Sequence, residues 1–145
     1  MFLSSLRLHA VLTFLCGIGL SLSTSAQNVE LLESYSQSQL ALTAAVFGVP
    51  NGSFSADYDV KAYRVTYEMP YLGDTVEVSG ALFVPQGFED PCGLPIHLYM
   101  HGTIFKRTDA PSFLSIEGSF GGLMATLGHL VLMPDYVGLG TSSLM

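Results

Sequence analysis

Residues 94–100 read LPIHLYM and residues 129–136 read HLVLMPDY. Each is a short, dense apolar run without clean two-residue alternation. Strands covered on both faces have that texture because neither side meets water, so the pair predicts a parallel sheet layered by helices. Between them, Phe120 to Leu127 has the composition of a helix, with Ser119 placed to cap its start and Gly128 to stop it. Strand, helix, strand in that order is a right-handed βαβ unit. Within this chain the last strand, HLVLMPDY, is expected at the open margin of the sheet.

Upstream the pattern changes. From Val60, Tyr63, Val65, Tyr67 and Met69 alternate with Ala62, Arg64, Thr66 and Glu68; after PYLGD, Val76, Val78, Leu82 and Val84 repeat the alternation. Two half-buried strands joined by a short turn containing Gly73 predict an antiparallel hairpin. Before it, NGSFSAD at 51–57 is a loop by composition. Earlier still, Leu31, Leu32, Tyr35, Leu42, Ala45 and Val46 recur at near-helical spacing after Asn28. They predict a helical extension over 27–56, with the polar SQSQ at its middle and Gly48 and Pro50 at its stop.

The first 26 residues stand apart. Arg7 precedes a 13-residue apolar run, AVLTFLCGIGLSL, and Thr24 and Ala26 place small residues at −3 and −1 of a cut after Ala26. That layout predicts a secretory signal peptide, hence an exported protein. The run is short of the roughly 20 residues a bilayer span needs, so no stable membrane span is expected. Cys92 is then the one remaining cysteine, either free or paired outside the chain. The 145 residues carry 5 Lys and Arg against 12 Asp and Glu, a net charge of −7. Such a balance gives no phosphate-neutralising surface, which excludes a nucleic-acid partner. One Cys and scattered His assemble no metal site, and GLGTSS has no Lys behind its glycines to hold a phosphate, so neither metal nor cofactor is expected.

Ligands of open parallel sheets bind beyond the carboxyl ends of the strands, where YMHGTIFKRTDAPS, residues 99–112, lies. Gly102 removes a side chain that would keep a substrate from the backbone, and the Thr103 and Ile104 N–H groups follow as donors toward a developing oxyanion. The 15 or so residues from Thr103 to Glu117 make a longer connection than compact domains ordinarily use, which points to a binding role. His101 is better placed to fix the turn than to act as a base, since no acid or serine adjoins it in sequence. Asp135 reads as a brace for its loop, His97 as a core histidine and His129 as exposed.

YMHGTIFKRTDAPS followed by PDYVGLGTSS resembles the N-terminal half of a secreted α/β-hydrolase of the secretory lipase and esterase branch, over roughly 60–145. The resemblance implies that the residue after His-Gly, here Thr103, supplies one oxyanion N–H. The second comes after the nucleophile of a G-x-S-x-G elbow, which this sequence lacks. Its nearest approach is Glu117-Gly118-Ser119-Phe120-Gly121, with Glu in place of the first Gly. Ser119 also lies before the PDYVGLG strand, where a helix cap is the better reading. The resemblance places the triad later in the chain.

The expectation is therefore an α/β fold of α/β-hydrolase type, an antiparallel hairpin leading into a parallel βαβ, with an incomplete sheet. Residues 1–26 would be the signal peptide, 27–56 the helical extension, and 57–145 the N-terminal part of a hydrolase domain truncated before the nucleophile elbow. Its partners would be a small-molecule ester or lipid and the remainder of the hydrolase domain. The alternatives are an exported binding or structural module without chemistry, and a peptidase of the same fold.

Overall fold

The computed structural model describes residues 26–50, 52–89 and 93–144. The leader, apart from Ala26, and Cys92 lie outside the described residues. Strand β1 (Ala26–Tyr35) is followed by helix α1 (Gln37–Val46) and the hairpin strands β2 (Val60–Tyr71) and β3 (Asp74–Pro85). Then come β4 (Ile96–Leu98), two 3₁₀ turns at Arg107–Asp109 and Pro111–Phe113, α2 (Ile116–Ala125) and β5 (Leu130–Pro134). The strands form one sheet in the order β1-β2-β3-β5-β4, antiparallel except for the β4–β5 pair.

The hairpin forms as its alternation predicts, with an unbroken register from Val60 opposite Pro85 to Tyr71 opposite Asp74. Its two-residue loop, Leu72-Gly73, has positive φ at both positions, the turn whose twist matches that of paired strands. The βαβ unit also forms. Its helix starts earlier than the sequence suggests: Ser115, not Ser119, is the N-cap, accepting from the Gly118 N–H. Ser119 lies inside the first turns of α2, its own N–H bonded to Ser115 O.

The segment expected to be one helical extension divides instead. Residues 26–35 pair with β2, and a bulge between Leu31 and Glu33 shifts the register there. The inserted residue leaves Val29, Leu32 and Tyr35 as the half-buried positions. A bulged strand thus imitates the three-residue spacing of a helix. The polar SQSQ is the start of α1: Ser36 Oγ accepts from Gln39 N–H, and Gln39 Oε1 accepts from Ser36 N–H at 2.8 Å, a capping box.

Ala62, Ala81, Phe83, Val131 and Met133 share one sheet face by register and form the core with Leu40 and Ala44 of α1 and Leu123 and Ala125 of α2. Gly121 lets α2 lie directly on that face, for a Cβ there would stand 2.3 Å from the Phe83 ring and 2.8 Å from Met133 Sδ. Among the described residues both helices cover this face alone. The strand LPIHLYM is accordingly not buried on both sides. It is β4, an edge strand, with Ile96 and Leu98 more than half exposed on the face opposite the helices. HLVLMPDY, expected at the margin, lies inside the sheet between β3 and β4. His97, expected in the core, is half-buried and stacks on the half-buried His129 at 6.2 Å between ring centroids.

Candidate functional site

The C-terminal ends of the parallel strands β4 and β5 bring His101-Gly102-Thr103 beside Asp135-Tyr136. Two layers of hydrogen bonds hold this corner, and each starts from a residue type that can hold it.

The lower layer centres on Asp135, which is buried. Its carboxylate accepts from Ser79 Oγ at 2.5 Å and from the Ser112 N–H at 3.2 Å. Ser79 Oγ in turn accepts from the Thr141 N–H at 2.9 Å, and the Asp135 N–H donates to Ser79 O at 2.9 Å. A buried carboxylate stays in a fold when donors replace the water it has lost, and these do so. Asp135 therefore ties three segments together: β3, the 3₁₀ turn at Pro111–Phe113, and the loop after β5. Gly140 is required there, since a Cβ would stand 2.0 Å from Asp135 Oδ2. The PDYVGLG spacing is thus the chemistry of a brace. From outside, Arg64 donates to Ser112 O at 3.0 Å and pairs with Glu30 at 2.8 Å, fixing the same turn to β1 and β2.

The upper layer holds the His-Gly turn. His101 is 2 % exposed, and its ring stacks on Tyr136 with centroids 4.0 Å apart. Its Nδ1 lies 2.7 Å from Gly102 O; a carbonyl only accepts, so Nδ1 carries the proton in this arrangement. The other ring nitrogen, Nε2, is buried without a partner among the described residues. Tyr136 donates its hydroxyl to His101 O at 2.6 Å. The Gly102 N–H points at the Glu117 carboxylate, 3.3 and 3.2 Å from its two oxygens. A Cβ on Gly102 would meet Glu117 Oε1 at 3.0 Å and otherwise open space, so in this structure the missing side chain admits that carboxylate.

Two consecutive peptide units carry four polar groups here. His101 O, Gly102 N–H and Gly102 O each have a side-chain partner. The Thr103 N–H has none among the described residues, and Thr103 is exposed. Phe105, two residues after Thr103, is 93 % exposed, and Ile116, next to Glu117, 75 %.

Ser119 is remote from this arrangement in kind. It follows a 3₁₀ turn and a left-handed Leu114 rather than a strand, and no hydrogen bond joins its hydroxyl to a histidine among the described residues. No group of three or more His, Cys, Asp or Glu able to hold a metal ion occurs among the described residues. No helix among them is long and apolar enough to cross a membrane. The sequence pointed to the turn and to the Asp135 brace, but not to Glu117 and Tyr136 as its holders. Tyr136 carried a signal in its place within PDYVGLG; Glu117 carried none, being 15 residues from the amide it meets.

No protein-family model matches the chain, and no curated protein is significantly similar to it. Solved structures are. A Legionella pneumophila protein assigned as a hydrolase superposes with a TM-score of 0.66 at 27 % identity, over 81 % of this chain and 32 % of that one. The rice cell wall degrading esterase LipA from Xanthomonas oryzae superposes with a TM-score of 0.63 at 25 % identity, over 80 % of this chain and 30 % of its own. The chain has a hydrolase-like α/β fold and spans about a third of the length of these neighbours.

Proposed function

We propose that this chain is the oxyanion-binding part of an exported serine ester hydrolase, with Thr103 N–H as one donor and the nucleophile outside these 145 residues. The observation that carries the reading is the unpartnered Thr103 N–H in a turn whose three neighbouring polar groups are all held. In the reaction a serine oxygen bonds to the ester carbonyl carbon, and the carbonyl π electrons move onto oxygen. The Thr103 N–H meets that charge. As the carbonyl re-forms, the ester C–O bond breaks and the alcohol leaves with the proton the serine gave up. Water then adds to the acyl-serine carbon, releasing the acid and returning a proton to the serine oxygen. Donors already in place cost no reorganisation as the charge forms, which is why such groups weigh heavily in acyl transfer.

Three further features support the proposal. Both solved neighbours named above carry hydrolase or esterase descriptions, and this chain covers 32 % and 30 % of their lengths. Phe105, two residues beyond Thr103, and Ile116, next to Glu117, are exposed apolar side chains that an acyl chain or aromatic alcohol could contact. The leader-like residues 1–26 support export.

A fluorophosphonate probe tests this, because it bonds irreversibly to an activated serine. The exported polypeptide carrying this sequence is expected to take the label on a serine outside residues 27–145. Residues 27–145 alone are expected to stay unlabelled; a label on Ser119 or any other serine among them would overturn the assignment.

A further inference from the structure

We propose that Glu117 and Tyr136 are positioning residues, which hold the His101–Gly102 peptide so that, of the four polar groups in these two peptide units, the Thr103 N–H is the one left for a reacting carbonyl. This rests on the reading of Thr103 as an oxyanion donor.

Two rigid peptide planes meet at this turn. A trans peptide points its C=O and N–H in opposite directions, and fixing both poles fixes the plane; no peptide among the described residues is cis. The unit joining His101 to Gly102 is held at both poles, by the Tyr136 hydroxyl on its oxygen and the Glu117 carboxylate on its N–H. The next unit is held at one pole, Gly102 O, by His101 Nδ1. Its opposite pole is the Thr103 N–H. The His101 ring reaches Gly102 O from the preceding residue, so its grip depends on the first plane staying put. Without Glu117 and Tyr136, Gly102, lacking a Cβ, is free to rotate and turn the donor away.

A carboxylate beside an oxyanion site would at first sight repel the charge to be stabilised. Glu117 spends its oxygens on the Gly102 N–H and lies 3.9 Å from His101 Nδ1, with its side chain about a third exposed and so screened. The positioning gain is therefore expected to exceed the repulsion.

Amide hydrogen exchange and ¹⁵N spectra of the full chain test the clamp without requiring activity. In the parent protein the Gly102 amide should exchange slowly and the Thr103 amide fast. Glu117→Ala should speed Gly102 exchange about tenfold, as loss of one charge-assisted hydrogen bond does, and shift the Thr103 resonance. Glu117→Gln, which keeps an acceptor oxygen, should restore Gly102 to within about threefold of the parent, since a neutral acceptor is the weaker one. Tyr136→Phe should move the Thr103 resonance with the overall melting temperature little changed. Gly102 exchange indifferent to Glu117→Ala, or a Thr103 amide as protected as Gly102, would overturn the clamp. If the hydrolase reading alone were wrong, these rates would stand and phosphonate labelling of the exported polypeptide would be absent.

Discussion

Asp135 shows how one residue sets both the shape of this corner and the chemistry around it. Its carboxylate organises Ser79, Ser112 and, through Ser79, the Thr141 amide. Its charge also reaches Tyr67, whose phenol is held above its ordinary value near 10 first by burial and second by Asp135. For a phenol a raised value means that the fold favours the neutral form. The folded chain keeps that proton longer than the unfolded chain, so the associated stability is fully present below the unfolded pKa. It is lost as pH rises through the folded one. Asp135→Asn is expected to move the Tyr67 titration down but not back to the ordinary value, because burial, the larger cause, remains. A ¹³C NMR titration assigned to Tyr67 checks this; an unmoved titration would mean that the charge of Asp135 is not felt there. The role of Asp135 was legible because an acid before a glycine-rich loop has few other uses. The role of Glu117 was not, because its partner is a backbone amide, which has no sequence signature.

Among the elements, α2 connects core packing to the turn. It carries Glu117 in its first turn and Gly121 one turn later, against Phe83 and Met133. On an exposed helix, Gly→Ala would stabilise by about 1 kcal/mol. Here the added methyl meets a ring at 2.3 Å, and overpacking of that kind costs about 1–3 kcal/mol. Gly121→Ala is therefore expected to destabilise the chain by up to about 2 kcal/mol net, the opposite sign to the helix propensity. Urea unfolding measures this; a stabilised variant would mean that α2 does not sit as closely on the sheet. The elements differed in how plainly they announced themselves. The hairpin kept its two-residue period without interruption and was legible throughout. In β1 one bulge broke the period into a helix-like spacing, and α2 began four residues early because Ser115 rather than Ser119 takes the cap.

At the scale of the molecule, the described sheet has one face lined by helices and two edge strands, β1 and β4. Burial of an apolar strand on both sides needs partners that the sequence pattern of that strand alone cannot supply, and this is why LPIHLYM read as interior. Ile96 and Leu98 are 55 % and 58 % exposed beside an unpaired row of backbone groups, a combination that invites pairing with another chain. Lysines at both positions, Ile96→Lys with Leu98→Lys, are expected to reduce self-association of residues 27–145 in light scattering without lowering the melting temperature. Unchanged self-association would move the liability elsewhere.

In the proposed hydrolysis, the Thr103 backbone N–H stabilises the oxyanion. Thr103→Pro removes that donor, and Thr103→Ala, which keeps the N–H, controls for the lost hydroxyl. In p-nitrophenyl ester hydrolysis by the exported polypeptide carrying this sequence, with circular dichroism to confirm an intact fold, the kcat of Thr103→Pro is expected to fall about 10²–10³-fold. A folded Thr103→Pro protein that hydrolyses the ester at the parent rate would contradict it.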